Sequence, residues 1–149
     1  MEEVLMQFKD LGFAAVLGLA AAGSAAGTGI AGMAAVGAWK KCFAQNKAAP
    51  FMLIVFVGAP LSQTIYGMIV MNTMVAQLGS GMFCAGTGIF AGFAIGMSAM
   101  MQGKAGAGAS NALAETGKGF GNYIIVLGII ETVALFVMVF TMQAIGKMG

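Results

Sequence analysis

One acidic side chain stands inside a long apolar run. Glu131 follows Gly128-Ile129-Ile130 and precedes Thr132-Val133-Ala134-Leu135-Phe136, and it is the only charged residue between Gly119 and Gly146. An ionised carboxylate at the middle of a membrane-spanning helix costs on the order of several kcal/mol. It must be protonated, paired or bound to a cation. No Lys lies at a matching depth in any apolar run, so the chain supplies no internal counter-ion and a proton or an external cation is left. A second constellation lies upstream. Ala59, Ser62, Gln63 and Tyr66 are spaced i, i+3, i+4 and i+7, which puts them on one helix face. Pro60 sits among them and removes a backbone donor, so an upstream carbonyl, that of Phe56, loses its helical partner and neighbouring carbonyls are opened to a ligand. Gln102 is the one strongly polar side chain in its own run. Intramembrane Ser and Gln often only bond a neighbouring helix. Together, two Gln, a Ser, a Tyr and a Glu offer the oxygen ligands that hard cations take. One carboxylate charge matches one monovalent ion, so Na⁺ suits the set better than Ca²⁺.

The elements that must position these residues are membrane helices. Of the 149 residues, 60% are hydrophobic and 8% charged, and the mean hydropathy is +0.94. A soluble domain carries about a quarter charged residues, and one of this size could not bury so much apolar surface. The net charge of +2, with no Arg and no His, is too small to suggest a nucleic-acid partner. The glycine-rich run Gly86-Thr87-Gly88 lacks a following Lys, so it reads as packing and the chain carries no phosphate-binding loop of its own. Cys42 and Cys84 make no metal motif and are placed at opposite membrane sides, where no disulfide joins them.

Charge-free stretches run from Leu11 to Trp39 and from Ala48 to Gly103, the latter long enough for two spans. A span needs about 20 apolar residues, and backbone in lipid must bond within itself. Four helices are therefore expected near 11–39, 50–78, 81–109 and 119–146, giving an all-α membrane protein. Lys40, Lys41, Lys47 and Pro50 close the first, Gly79-Ser80-Gly81 turns the second into the third, and Lys104, Glu115, Gly117 and Lys118 bracket the last connection. Lysine in the 1–2 and 3–4 connections places those loops in the cytoplasm and both termini outside. The first span is too long for a signal-peptide core and follows Glu2 and Glu3, so it reads as retained.

The chain repeats at an offset of seventy residues. Phe13 matches Phe83, Gly18 matches Gly88, Thr28 matches Ser98, Gly58 matches Gly128, and Leu61 stands where the second half has Glu131. This divides the chain into a first helical hairpin, 1–79, without a carboxylate, and a second, 80–149, with one. Gly88, Gly92 and Gly96 form a small-residue ladder whose partner is Gly18, Ala22 and Ala26, with Gly23 and Gly27 alongside. Such a ladder suits a tight helix pair inside one chain; small residues on several faces of spans one and three favour the crowded inside of a ring of identical chains. The bulkier spans two and four suit its outside.

Three separated motifs carry a family resemblance: Ala59-Pro60-Leu61-Ser62-Gln63-Thr64-Ile65-Tyr66-Gly67, then Gln102-Gly103-Lys104, then Glu131-Thr132. In order and spacing they resemble the proteolipid, or rotor-ring, subunit of bacterial V-type ATPases, and more narrowly its four-helix Na⁺-transporting form. The resemblance implies a ring of identical subunits turning in the bilayer against a stator subunit that supplies an Arg. It implies that the cytoplasmic loops meet a central stalk, with Lys40, Lys41 and Lys104 against that stalk or lipid headgroups. ATP would be hydrolysed by other subunits. It places Na⁺ on Glu131, Gln63, Gln102, Ser62 and the carbonyl of Ala59, with Tyr66 bonding the glutamate and Pro60 and Thr132 supporting. The hydroxyl position is more often Thr, so Ser62 keeps the oxygen and loses a methyl. The same rotor-ring protein moving H⁺ is the alternative. A small ion-coupled multidrug exporter also has four helices and one membrane Glu, but it wants aromatic residues around a drug, and Trp39 lies at a span end.

Overall fold

A computed structural model describes residues 11–77 and 84–148. Four long helices make up nearly all of them. α1 is Leu11–Ala44, α2 spans Leu53–Ala76, α3 is Ala85–Thr116 and α4 is Phe120–Met148. No strand occurs among the described residues. Three of the helices, α1, α2 and α4, are both long and apolar enough to cross a membrane. The 32-residue α3 has the length. Its glycines, serines and Gln102 make it less apolar, and it is the helix with the most buried positions, because it runs between the others.

Two helix ends depart from expectation. α1 continues through Lys40 and Lys41 to Ala44, and α3 continues past Lys104 to Thr116. Charge ends an apolar run, but a lysine is a good helix former and its side chain only needs water. Lys104 therefore lies within α3 and does not mark the last connection, which is Gly117-Lys118-Gly119. Gly117 caps α3 in the left-handed region (φ 66°), its N–H donating to the Leu113 carbonyl at 2.8 Å. Gly119 is left-handed too (φ 87°), and a Cβ there would sit 2.8 Å from the Tyr123 ring. In the connection from α1 to α2, the Trp39 indole N–H donates to the Pro50 carbonyl at 2.7 Å. Lys41 pairs with Glu115, tying the ends of α1 and α3, and holds that carboxyl below its usual range. Exposed pairs of this kind add little stability. The expected turn at Gly79-Ser80-Gly81, and the Phe83 of the repeat, lie outside the described residues.

α1 and α3 touch at backbone distance along most of their length. A Cβ on Gly12 would stand 2.5 Å from the Cys84 carbonyl oxygen, and one on Gly92 would stand 2.7 Å from the Val16 Cα. Gly88 lies against Gly12, Gly23 against Gly96, and Gly103 against Gly27, each with no room for a Cβ. The face that α1 presents is thus Gly12, Val16, Gly23 and Gly27. This corrects the expected ladder: a Cβ on Gly18 would meet nothing within 4 Å, and Ala22 and Ala26 are exposed. The contact repeats by alternating threes and fours, so a strict i+4 run through Gly18 drifts off it. Gly29, Gly37, Gly86 and Gly108 likewise have no described atom within 4 Å of a Cβ, so their smallness serves no contact among the described residues. Gly88→Val is expected to force α1 and α3 apart at a cost of about 1–3 kcal/mol or more. It is read as a lower midpoint of thermal unfolding in detergent, with Gly121→Ala, at an open position, as the unchanged comparison.

Two apolar clusters bracket the middle of the bundle. Val16, Ala20, Val70, Ile95 and Ala134 pack on one side. Ala35, Leu53, Phe56, Ala109, Leu113 and Leu127 pack on the other, with the Phe56 ring 5.5 Å from Phe120 and 6.2 Å from Tyr123. The far face of α4, with Ile125, Ile129, Val133, Phe136 and Phe140, is exposed and, apart from Thr132, apolar along the middle of the helix, as suits a lipid-facing surface. Cys42 and Cys84 are both free and buried. Cys84 borders Gly12, about 45 Å along α1 from Cys42 at 1.5 Å per residue.

Candidate functional site

Between the two apolar clusters lies a chain of polar side chains drawn from α2, α3 and α4. Its geometry begins at Pro60. Without an N–H, Pro60 cannot continue the α-helical ladder, and α2 tightens into a 3₁₀ turn over Ala59–Leu61 before resuming at Ser62. The ring is buried, packed where Gly27 brings α1 close, since a Cβ on Gly27 would stand 2.9 Å from the Pro60 Cβ. The Ser62 hydroxyl lies 3.2 Å from the Ala59 carbonyl oxygen and 3.1 Å from Gln63 Oε1. It has one proton, so it donates to one of these at a time.

Gln63 is fully buried, and its Nε2 donates to Gln102 Oε1 at 2.8 Å. Gln102, 1% exposed, donates through Nε2 to the Leu127 carbonyl at 3.0 Å and to Glu131 Oε2 at 3.3 Å. The Tyr66 hydroxyl donates to Glu131 Oε1 at 2.6 Å. Glu131 is half-buried, and the one ion pair among the described residues, Lys41 with Glu115, is elsewhere. The carboxylate thus has two neutral donors and no fixed positive charge beside it. In an apolar setting two such bonds offset only part of the cost of an ionised group.

The residues singled out by spacing are therefore placed as follows. Ser62, Gln63, Gln102, Glu131 and Tyr66 form one continuous hydrogen-bonded set, with the Ala59 carbonyl at its end. Pro60 shapes that end. Thr132 is not part of it: its side chain is exposed, and its hydroxyl donates to the Ile129 carbonyl of its own helix at 2.7 Å. Adjacency to Glu131 in sequence means about 100° of rotation around the helix. Asn122 is exposed as well. One residue escapes a reading by spacing. Ser98, buried on α3, donates to the Ile130 carbonyl at 2.8 Å. Its signal in the sequence is its place one helical turn before Gln102.

Residues 78–143 match the family model of the ATP synthase C subunit. That stretch contains Ser98, Gln102 and Glu131. The match covers the hairpin bearing Glu131 and supports a rotor-ring proteolipid, an ion-translocating component of a membrane. The exporter reading has no support beside this match. No curated protein matches the chain. In the matched hairpin, α3 supplies the amide of Gln102 and α4 the carboxylate. The first hairpin, outside the matched stretch, adds the proline turn, Ser62, Gln63 and Tyr66 to this proteolipid.

Proposed function

We propose that this proteolipid carries Na⁺, one ion per chain, on the oxygens of the Ala59 carbonyl, Ser62, Gln63, Gln102 and Glu131. The observation that carries the reading is the set itself. Three helices link four uncharged oxygen-bearing groups to a single carboxylate through one hydrogen-bonded chain, with no cationic side chain in it among the described residues. A proton needs only the carboxylate. A hard monovalent cation uses all five groups. Tyr66 holds the carboxylate from the side opposite Gln102, acting on its other oxygen.

The mechanism follows from electrostatics. An ion on Glu131 neutralises the site, which can then turn past lipid. Beside an Arg of a stator subunit the bare carboxylate is tolerated, so the ion leaves there through a water-filled path and another enters after nearly a full turn. Identical chains form the ring, with α1 and α3 inside and α2 and α4 outside. The open-faced glycines 18, 29, 37, 86 and 108 suit close approach by neighbours, and the apolar face of α4 suits lipid. The complex is of the V type, with ATP hydrolysed by other subunits and a central stalk at the lysine-bearing end, where Lys40, Lys41, Lys47 and Lys118 gather and which faces the cytoplasm.

The test is chemical. A carbodiimide modifies a protonated carboxyl, so a bound Na⁺ protects it. At fixed pH and ionic strength, millimolar Na⁺ is expected to slow labelling of Glu131 while the same concentration of choline does not. Labelling that follows pH alone overturns the Na⁺ reading in favour of H⁺.

A further inference from the structure

We infer that Ser98 is a positioning residue that sets the register of α4, and with it the place of Glu131. The inference rests on Glu131 being the ion-carrying group. α4 meets the bundle mainly through apolar side chains, whose association in lipid rests on close packing with no hydrophobic drive. Directional bonds from α2 and α3 to α4 add to that packing in fixing its sliding and rotation. Among the described residues these are Tyr66 and Gln102 to the Glu131 carboxylate, Gln102 to the Leu127 carbonyl, and Ser98 to the Ile130 carbonyl. The first three involve groups that hold the ion, so they change as it comes and goes. The Ser98 bond alone joins α3 to α4 without using a side chain that holds the ion.

Its placement fits the task. Ser98 and Gln102 are one turn apart on α3, and the carbonyls they grip, Leu127 and Ile130, are one turn apart on α4. Glu131 follows the second of these directly. Each carbonyl also serves the helical ladder of α4, so the second donor adds a cross-link without breaking the helix. Ser98 is 6% exposed, where water does not compete. The first hairpin provides a contrast. Thr28, seventy residues before Ser98, has a buried hydroxyl with no hydrogen-bond partner among the described residues. The carboxylate position there is Leu61. The cross-helix bond is made only in the hairpin with an ion to hold.

The experiment uses the purified ring and carbodiimide labelling of Glu131, with Na⁺ as the probe. Ser98→Ala is expected to raise the Na⁺ concentration for half-protection about three- to tenfold, the worth of one buried hydrogen bond. Ring yield should be unchanged, Ser98→Thr should restore protection, and Thr28→Ala should leave it alone. Half-protection unchanged in Ser98→Ala, or shifted equally by Thr28→Ala, overturns the inference. Should Ser98→Ala fail to assemble, Ser98→Cys, of similar size and weaker donor strength, is read in the same way. If the unsubstituted ring shows no Na⁺ protection, the Na⁺ reading falls by itself. The positioning role is then read from the pH midpoint of labelling, which Ser98→Ala must shift and an unmoved midpoint refutes.

Discussion

Glu131→Gln is expected to abolish ion translocation by the assembled rotary complex and to leave the ring intact. The amide is nearly isosteric with the carboxylate. Its oxygen still accepts from the Tyr66 hydroxyl, now 2.6 Å from Glu131 Oε1, and the apolar contacts of Leu127 and Ala134 on either side are untouched. What is lost is the negative charge. A neutral amide neither binds a proton near neutral pH nor balances a cation in a low-dielectric site. The site then has nothing to load and nothing to release. Ion uptake into vesicles containing the complex is expected to fall to background, while ring yield and thermal stability in detergent stay close to those of the unsubstituted protein. Transport that persists with Gln at this position places the carrying group elsewhere.

Removing either glutamine has the next largest effect. Gln63 is fully buried and its Nε2 is the donor to Gln102 Oε1. Gln63→Ala removes one proposed ligand oxygen and leaves that acceptor of Gln102 buried without its partner, a penalty of about 1–3 kcal/mol. Gln102→Ala is more damaging, because Gln102 meets Gln63, the Leu127 carbonyl and Glu131 at once. Na⁺ affinity is expected to fall on the order of ten- to a hundredfold in Gln63→Ala, and further in Gln102→Ala. Protection of Glu131 labelling over a series of Na⁺ concentrations reads both. Ring assembly should suffer less than affinity. A substitution that disrupts assembly and spares affinity shows a packing glutamine, as many intramembrane amides are.

Much of this arrangement is legible in the chain because a membrane makes polar residues conspicuous. Glu131, Gln63 and Gln102 stand out where nearly every neighbour is apolar, and the spacing of Ala59, Ser62, Gln63 and Tyr66 fixes a shared face once α2 is helical. Pro60 announces its own turn. Other features do not show. Lys40, Lys41 and Lys104 look like helix ends in hydropathy, yet α1 and α3 run on beyond them into more polar sequence. The small-residue face of α1 is easily misassigned to Gly18 because, in a sequence this rich in Gly and Ala, every face looks like a ladder. Only the partner helix selects Gly12, Gly23 and Gly27. Ser98 is hidden for the same reason: one hydroxyl among glycines and alanines reads as packing until the Ile130 carbonyl is found beside it. Thr132 misleads in the opposite way, through sequence adjacency to Glu131 that the helix turns outward.

Equilibrium binding of radioactive Na⁺ to the purified ring tests the central claim most directly. The account predicts saturation at one Na⁺ per chain, and no binding in Glu131→Gln. A ring that binds no Na⁺ while Glu131 labelling still responds to pH would contradict it.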